Sequence, residues 1–189
     1  LPGCDPRGVK IRVPGAHNVL NASAAVAVGL ELGLEWDDIV RGCEMFRPVK
    51  RRFEVVRRDD AITIISDYAH HPTEIRAVIE AARRMPAKRL RAVFQPHRYT
   101  RTRALCPDFP PAFSGVDDLI LVPVYPASES PLVGGGSEDL LAAFSKRGAC
   151  WPVRLAKTLN QASSWVCEDH SQGDLLLVMG AGDVELSLI

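Results

Sequence analysis

The chain has 189 residues, 47% of them hydrophobic and 24% charged, and 23 basic side chains balance 23 acidic ones to a formal net charge of zero. Such a composition belongs to an ordinary soluble globular protein of one domain plus an appendage. The neutral balance argues against a general binder of nucleic acid or membrane surfaces.

Residues 9–13 (Val-Lys-Ile-Arg-Val) alternate and predict a short strand, and Pro14-Gly15 a turn. His17-Asn18 opens an Ala-, Val- and Leu-rich helix to about Leu32, with Gly33 as its C-terminal cap. A second helix is predicted over 36–45, with Asp37 and Asp38 in its first turn, where acids suit the helix dipole. One strand and two helices cannot bury their own apolar surface. Residues 1–49 therefore read as the tail of a preceding domain, linked through Arg47-Pro48-Val49-Lys50 to a second domain over 50–189. Leu1-Pro2-Gly3-Cys4 carries no signal pattern and reads as the middle of a longer chain.

The second domain begins with strands over 53–57 and 61–65, separated by Asp59-Asp60 as in a hairpin. A helix follows over 72–85, with Pro72 at its first position and an apolar stripe of Ile75, Val78, Ile79 and Ala82. Then come a strand over 90–94, a proline-shortened helical stretch over 102–113 and a fully buried strand over 119–124. A helix over 137–146, capped by Ser137, precedes a short strand over 153–155, a helix over 158–168 and a last buried strand over 175–179. Gly134-Gly135-Gly136 reads as a flexible loop tip. The alternation predicts an α/β fold with a mainly parallel, Rossmann-like sheet, helices on both faces and one antiparallel strand. No apolar run approaches the ~18 residues of a membrane span. The five cysteines are odd in number and widely spaced, which speaks for reduced thiols in a cytoplasmic protein.

Three apolar runs end in polar clusters: Ser66 to Pro72, Gln95 to Thr102 and Tyr125 to Pro131. In a parallel sheet such loops gather at the carboxyl ends of the strands, where ligands bind. Asp67 can hold a cation or a ribose hydroxyl there, or serve as an N-terminal helix charge. His70 and His71 lack a third ligand at suitable spacing, so zinc is not expected, and an imidazole that positions a substrate fits better. Arg98 and Arg101, beside His97, can clamp a carboxylate or phosphate. Glu129 can hold an ammonium, and together these groups make an amino-acid pocket. Asn18 and Asn21 share one helix face and match the donor–acceptor edge of adenine, or else cap and solvate the helix. No G-x-x-x-x-G-K-[ST] occurs, so any ATP chemistry lacks its phosphate loop within this chain. Gly180-Ala181-Gly182 fits a tight turn better than a dinucleotide fingerprint.

His17-Asn18-Val19-Leu20-Asn21-Ala22, Lys50-Arg51-Arg52-Phe53-Glu54, Asp67-Tyr68-Ala69-His70-His71-Pro72-Thr73-Glu74, Gln95-Pro96-His97-Arg98-Tyr99-Thr100-Arg101-Thr102 and Gly180-Ala181-Gly182-Asp183 occur in this order. Together they resemble the Mur ligases over nearly the whole chain. The resemblance implies the end of a central ATPase domain (1–49) followed by a C-terminal Rossmann-like domain (50–189). It implies ATP-dependent amide ligation through an acyl phosphate, and the Gln95–Thr102 run points to addition of L-alanine to UDP-N-acetylmuramate. ATP and Mg²⁺ would be held mainly by parts of the family fold that this chain lacks, so the chain alone would be inactive. By the same likeness Asn18, Asn21, Arg52 and Asp67 approach ATP, and Arg52, Asp67 and His70 are catalytic. Tyr68, His70, His97, Arg98 and Arg101 meet the incoming amino acid. Pro48 stands where the family usually has glycine, which stiffens the link. Two other readings are a non-catalytic binding module and the family member that reattaches recycled murein peptide.

Overall fold

A computed structural model describes residues 8–47 and 49–185. Leu1 to Cys4 and Pro48 lie outside them. The chain divides into two compact units between Val49 and Lys50.

The first unit is a helical pair, α1 (Ala16–Glu31) and α2 (Trp36–Met45). The helices approach closely at Gly29, where a Cβ would fall 2.9 Å from Ile39 Cγ1. Val19, Leu20, Val28, Leu30 and Leu32 stay exposed. The strand predicted at 9–13 does not form. A lone strand has no ladder to join, and no partner strand is present among the described residues of this unit.

The second unit is a six-stranded sheet in the order β1-β2-β6-β3-β4-β5. Its strands are β1 (Glu54–Arg58), β2 (Ile62–Asp67), β3 (Leu90–Gln95), β4 (Asp118–Leu121), β5 (Val153–Leu155) and β6 (Asp174–Gly180). Only the β1–β2 hairpin is antiparallel; every other pair is parallel. The helices are α3 (Pro72–Ala82), α4 (Tyr99–Leu105), α5 (Phe109–Ala112), α6 (Ser137–Arg147) and α7 (Leu159–Asp169). Ile75, Val78 and Ile79 of α3, Phe109 of α5 and Leu140 and Phe144 of α6 pack on one face of the sheet, against Ile65, Phe94, Leu119, Leu121 and Leu177. Ala162 and Val166 of α7 cover the other, against Ile64, Val93, Ile120, Leu176 and Val178. Helices on both faces explain why β6 and β3 are buried along their whole length.

Several ends differ from the sequence expectation, each for a local reason. The helix from Pro72 stops at Ala82, because Pro86 disfavours helical backbone just before it. Strand β4 ends at Leu121, since Pro123 has no N–H for a ladder. Ser137 is the first residue of α6 rather than its cap: its hydroxyl donates to the Val122 carbonyl at 2.7 Å, and Asp139 accepts the Gly136 N–H instead. Gly135 is buried against the Tyr99 carbonyl, leaving no room for a Cβ, so the triple glycine is packed and not a free tip.

The amino ends of the strands carry a buried ion network. Arg91, 1% exposed, donates to Asp118 Oδ2 at 3.1 Å and lies 3.9 Å from Asp174. Arg89 pairs with Asp174 at 2.6 Å, and Arg154 with Asp118 and Asp169. The polar loops after β2, β3 and β4 leave from the opposite edge. Among the described residues no helix is long and apolar enough to cross a membrane.

Candidate functional site

The site is built on loops leaving the carboxyl ends of β2, β6, β3 and β4. Strands β2 and β3 are not neighbours, because β6 lies between them. Their backbones are thus about 9–10 Å apart, close enough for long side chains to meet across the rim.

Asp67 ends β2. Its two carboxylate oxygens accept the N–H groups of Phe53 and Ala69, both at 2.7 Å. Burial raises its pKa, against the pull of those two amides. Tyr68 comes next, with the guanidinium carbons of Arg51 and Arg52 5.0 and 5.7 Å from its ring centroid, within cation–π range. His70 follows. Its Nδ1 lies 2.9 Å from the Tyr68 carbonyl oxygen, and its amide donates to Glu74 Oε2 at 3.0 Å. Burial pushes Glu74 up, but the amides of His70 and His71 and the charges of His70 and Arg52 outweigh it, so its pKa is lowered. His71 is spent on helix α3, where its Nδ1 accepts the Thr73 N–H.

The β3 loop supplies the other half. Gln95 donates to Asp183 at 2.8 Å and accepts from the Val184 amide, which closes the turn after β6. His97 bridges to Tyr125 of the β4 loop, through Arg98 N–H to Tyr125 O at 2.9 Å and Tyr125 N–H to Pro96 O at 2.9 Å. The His97 ring stacks on Tyr125, and its centroid lies 5.7 Å from that of His70. Arg101 Nη1 is 3.2 Å from His97 Nδ1. Burial, then the charges of Arg101, His70 and Arg98, lower the His97 pKa, with Glu129 opposing. Arg98 holds φ at +71°, a left-handed backbone costing a non-glycine residue ~1–3 kcal/mol. Thr102 stabilises it by donating its amide and hydroxyl to the Arg98 carbonyl, at 3.0 and 2.8 Å.

Glu129 is engaged elsewhere than the expected ammonium. Its oxygens accept the Thr100 hydroxyl at 2.6 Å and the Thr100 amide at 3.0 Å, which lowers its pKa and anchors the start of α4. Gly180 ends β6, the backbone bends through residues 181–183, and a Cβ at Gly182 would fall 2.6 Å from Tyr125 Cγ. Arg51 straps the rim by donating to the Gly180 carbonyl and pairing with Glu185 at 2.9 Å.

The first unit has a pocket of its own. Asn18 and Asn21 edge a pocket of about 320 Å³ lined by Ile11, Val13, Ala22, Ala25 and Phe46. Asn18 donates to the Pro14 carbonyl at 2.6 Å, while the N-cap of α1 is Gly15, with no side-chain cap. Asn18 therefore ties the preceding turn and does not cap the helix.

Residues 51–182 match the family described as Mur ligase, glutamate ligase domain. The chain belongs to the Mur ligase family. Among Mur ligases it is 48% identical to the UDP-N-acetylmuramate–L-alanine ligase of Stenotrophomonas maltophilia, over 97% of this chain and 40% of that protein. The crystal structure of the UDP-N-acetylmuramate–alanine ligase of Thermotoga maritima superposes with a TM-score of 0.79 at 28% identity, covering 98% of this chain and 39% of that one. A murein peptide ligase from Psychrobacter arcticus shares the fold, with a TM-score of 0.72 at 22% identity over 95% of this chain and 37% of its own. The chain spans about two fifths of the length of the curated relatives it matches.

The structure brings Arg52, Tyr68, His70, His97 and Arg101 into one chain of contacts. Three contributors escaped the sequence reading. Tyr125 gives no periodic signal, because its stack depends on one isolated bridge between loops. Arg51 is indistinguishable from Arg52 in a basic run. Glu74 shows only its helix-start signature, while it also receives the His70 amide. Among the described residues no three His, Cys, Asp or Glu side chains gather as a metal would require.

Proposed function

We propose that this chain is the C-terminal part of an ATP-dependent ligase that joins L-alanine to UDP-N-acetylmuramate in cytoplasmic peptidoglycan precursor synthesis. Residues 1–49 are then the end of the central ATPase domain and 50–189 the C-terminal domain. The observation that carries the reading is the meeting of His70 with His97, and of His97 with Arg101, at one rim next to Arg98, whose backbone glycine would adopt more cheaply. Backbone strain of that kind clusters at functional sites.

ATP would supply the activation of the muramyl carboxylate that lets the amine of alanine attack it. In this chain Arg98 and Arg101 orient alanine by its carboxylate, which brings its amine to the reacting carbon. Tyr68 and His70 border the amine side. Arg52, exposed over Tyr68, offers its charge to the phosphates. Asp67 acts by holding Phe53 and Ala69 in place, so that Arg52 and His70 flank it. Glu129 serves by fixing α4 rather than by touching substrate. The apolar pocket with two carboxamides at its edge fits a purine, and Asn18 and Asn21 would hold it. Among the described residues no group of three acidic, His or Cys side chains is placed to hold Mg²⁺.

The test is a chimaera. This chain replaces the matching part of the Stenotrophomonas maltophilia ligase, and ATP-dependent ligation is measured with L-alanine and with murein tripeptide. Alanine ligation that falls when Arg98 becomes Ala supports the reading. Ligation of tripeptide alone would assign the chain to the recycling ligase, and turnover by the isolated chain would contradict the division into domains.

A further inference from the structure

The partners of the two rim histidines fix which nitrogen carries the proton. A carbonyl oxygen only accepts, so His70 Nδ1, 2.9 Å from the Tyr68 oxygen, is protonated. A guanidinium only donates, so His97 Nδ1, 3.2 Å from Arg101 Nη1, is bare. In neutral rings the remaining nitrogens then differ in kind: Nε2 of His70 is a lone-pair acceptor, and Nε2 of His97 is an N–H donor. The rings are 5.7 Å apart.

Other groups bear on the protonation and orientation of both rings. Glu74 Oε2 lies 3.6 Å from His70 Nδ1 and favours a proton there. Arg101, Arg98 and His70 oppose a second proton on His97, and among the groups acting on that ring Glu129 is the one favouring it. Tyr125 fixes the plane of His97, lying 11° from parallel to it, and Tyr125 is itself backed by Gly182. The arrangement is a matched pair, with an acceptor on one loop and a donor on the next. An α-amino acid carries its ammonium and carboxylate on one carbon, and so presents the complementary pair.

We propose that His70 Nε2 takes a proton from the ammonium of the incoming amino acid while His97 Nε2–H holds its carboxylate, and that Tyr125 is the positioning residue that keeps His97 in this tautomer. The identity of the substrate rests on the ligase reading above. The step balances as follows. The ammonium gives one proton to His70, and its freed lone pair forms the C–N bond at the acyl phosphate. The C–O bond to phosphate breaks, and the phosphate leaves with that bond's electron pair and a second proton from the nitrogen. The products are the amide, hydrogen phosphate and the His70 imidazolium, whose charge faces Glu74.

Long-range ¹H–¹⁵N correlation of the 189-residue chain with labelled histidine, at pH 8, reads the tautomers directly. The expected result is His97 protonated at Nε2 and His70 at Nδ1. Arg101→Leu should release His97 into the mixed tautomers of free imidazole and leave His70 unchanged. Tyr125→Leu should do the same, whereas Tyr125→Phe keeps the stack and the tautomer. His97 protonated at Nδ1, or indifferent to Arg101→Leu, would overturn the pairing. In the chimaera, His70→Gln should lower kcat/KM for alanine ~10²–10⁴-fold at pH 7.5 and recover as rising pH supplies free amine. An equal loss at every pH would remove His70 as proton acceptor. A chimaera with no alanine ligation at all would fault the ligase reading and leave the tautomers, measured separately, standing.

Discussion

His97 and Tyr125 lie face to face, with ring centroids 5.6 Å apart and planes 11° from parallel, where two loops from different strands form a single bridge. Truncating Tyr125 to Ala removes the stack and the packing behind the Gly182 turn. A loss of about 1–3 kcal/mol is expected in urea unfolding. Tyr125→Phe should stay within about 0.5 kcal/mol of the parent, because the ring and its plane survive.

Arg98 shows the opposite balance between stability and chemistry. Arg98→Gly removes the cost of the +71° φ, partly offset by the greater freedom of glycine when unfolded. The midpoint of denaturation should rise, by about 1 kcal/mol in stability. In the chimaeric ligase the same change should raise the KM for alanine. A variant neither more stable nor weaker in binding would deny Arg98 both roles.

Gly182 has no space to give. A Cβ there would overlap Gln95 Oε1 and fall 2.6 Å from Tyr125 Cγ. Gly182→Ala should cost about 1–3 kcal/mol and disturb the His97 imidazole signals, because the Tyr125 ring must shift. Unchanged signals would show that the turn yields without moving the ring.

The His97 pKa is lowered by burial and by neighbouring cations from an ordinary 6.5. The unfolded chain therefore takes up this proton more readily than the folded one. Its contribution to stability is complete above 6.5 and is lost as pH falls through the folded-state value. The denaturation midpoint should decline over that interval, and His97→Asn should flatten that part of the curve.

At the far edge, Asp174 is wholly buried with Arg89 at 2.6 Å and Arg91 at 3.9 Å. Asp174→Ala leaves Arg91 in the interior with only Asp118 opposite. The loss should be about 3–5 kcal/mol, by calorimetry or urea, without changing the rim histidine tautomers. A change in those tautomers would couple the two edges.

What could be read in the sequence followed from local periodicity. The alternation of buried strands with amphipathic helices places every strand of the sheet, and the polar clusters after Ile65, Phe94 and Val124 mark the loops of the rim. The limits were set by long-range geometry. Residues 9–13 alternate like a strand but find no ladder. Ser137 and Asp139 both suit a helix start, and only the Val122 carbonyl decides that Ser137 turns away. Glu129 offers a carboxylate to any cation, and only the fold shows Thr100 taking it. The contacts of the two histidine rings with their partners are local, two and four residues apart, but the meeting of the rings themselves across β6 is long-range.

The order of the sheet also dictates when the rim can exist on the ribosome. Strands β2 and β3 are joined in the sheet through β6, the last of its six strands in chain order. Before Asp174 emerges, the nascent chain holds a hairpin and a three-stranded piece with nothing to register one against the other. Contacts of such long sequence separation form late. A premature stop between Leu155 and Asp174 therefore deletes no rim histidine and still abolishes the rim.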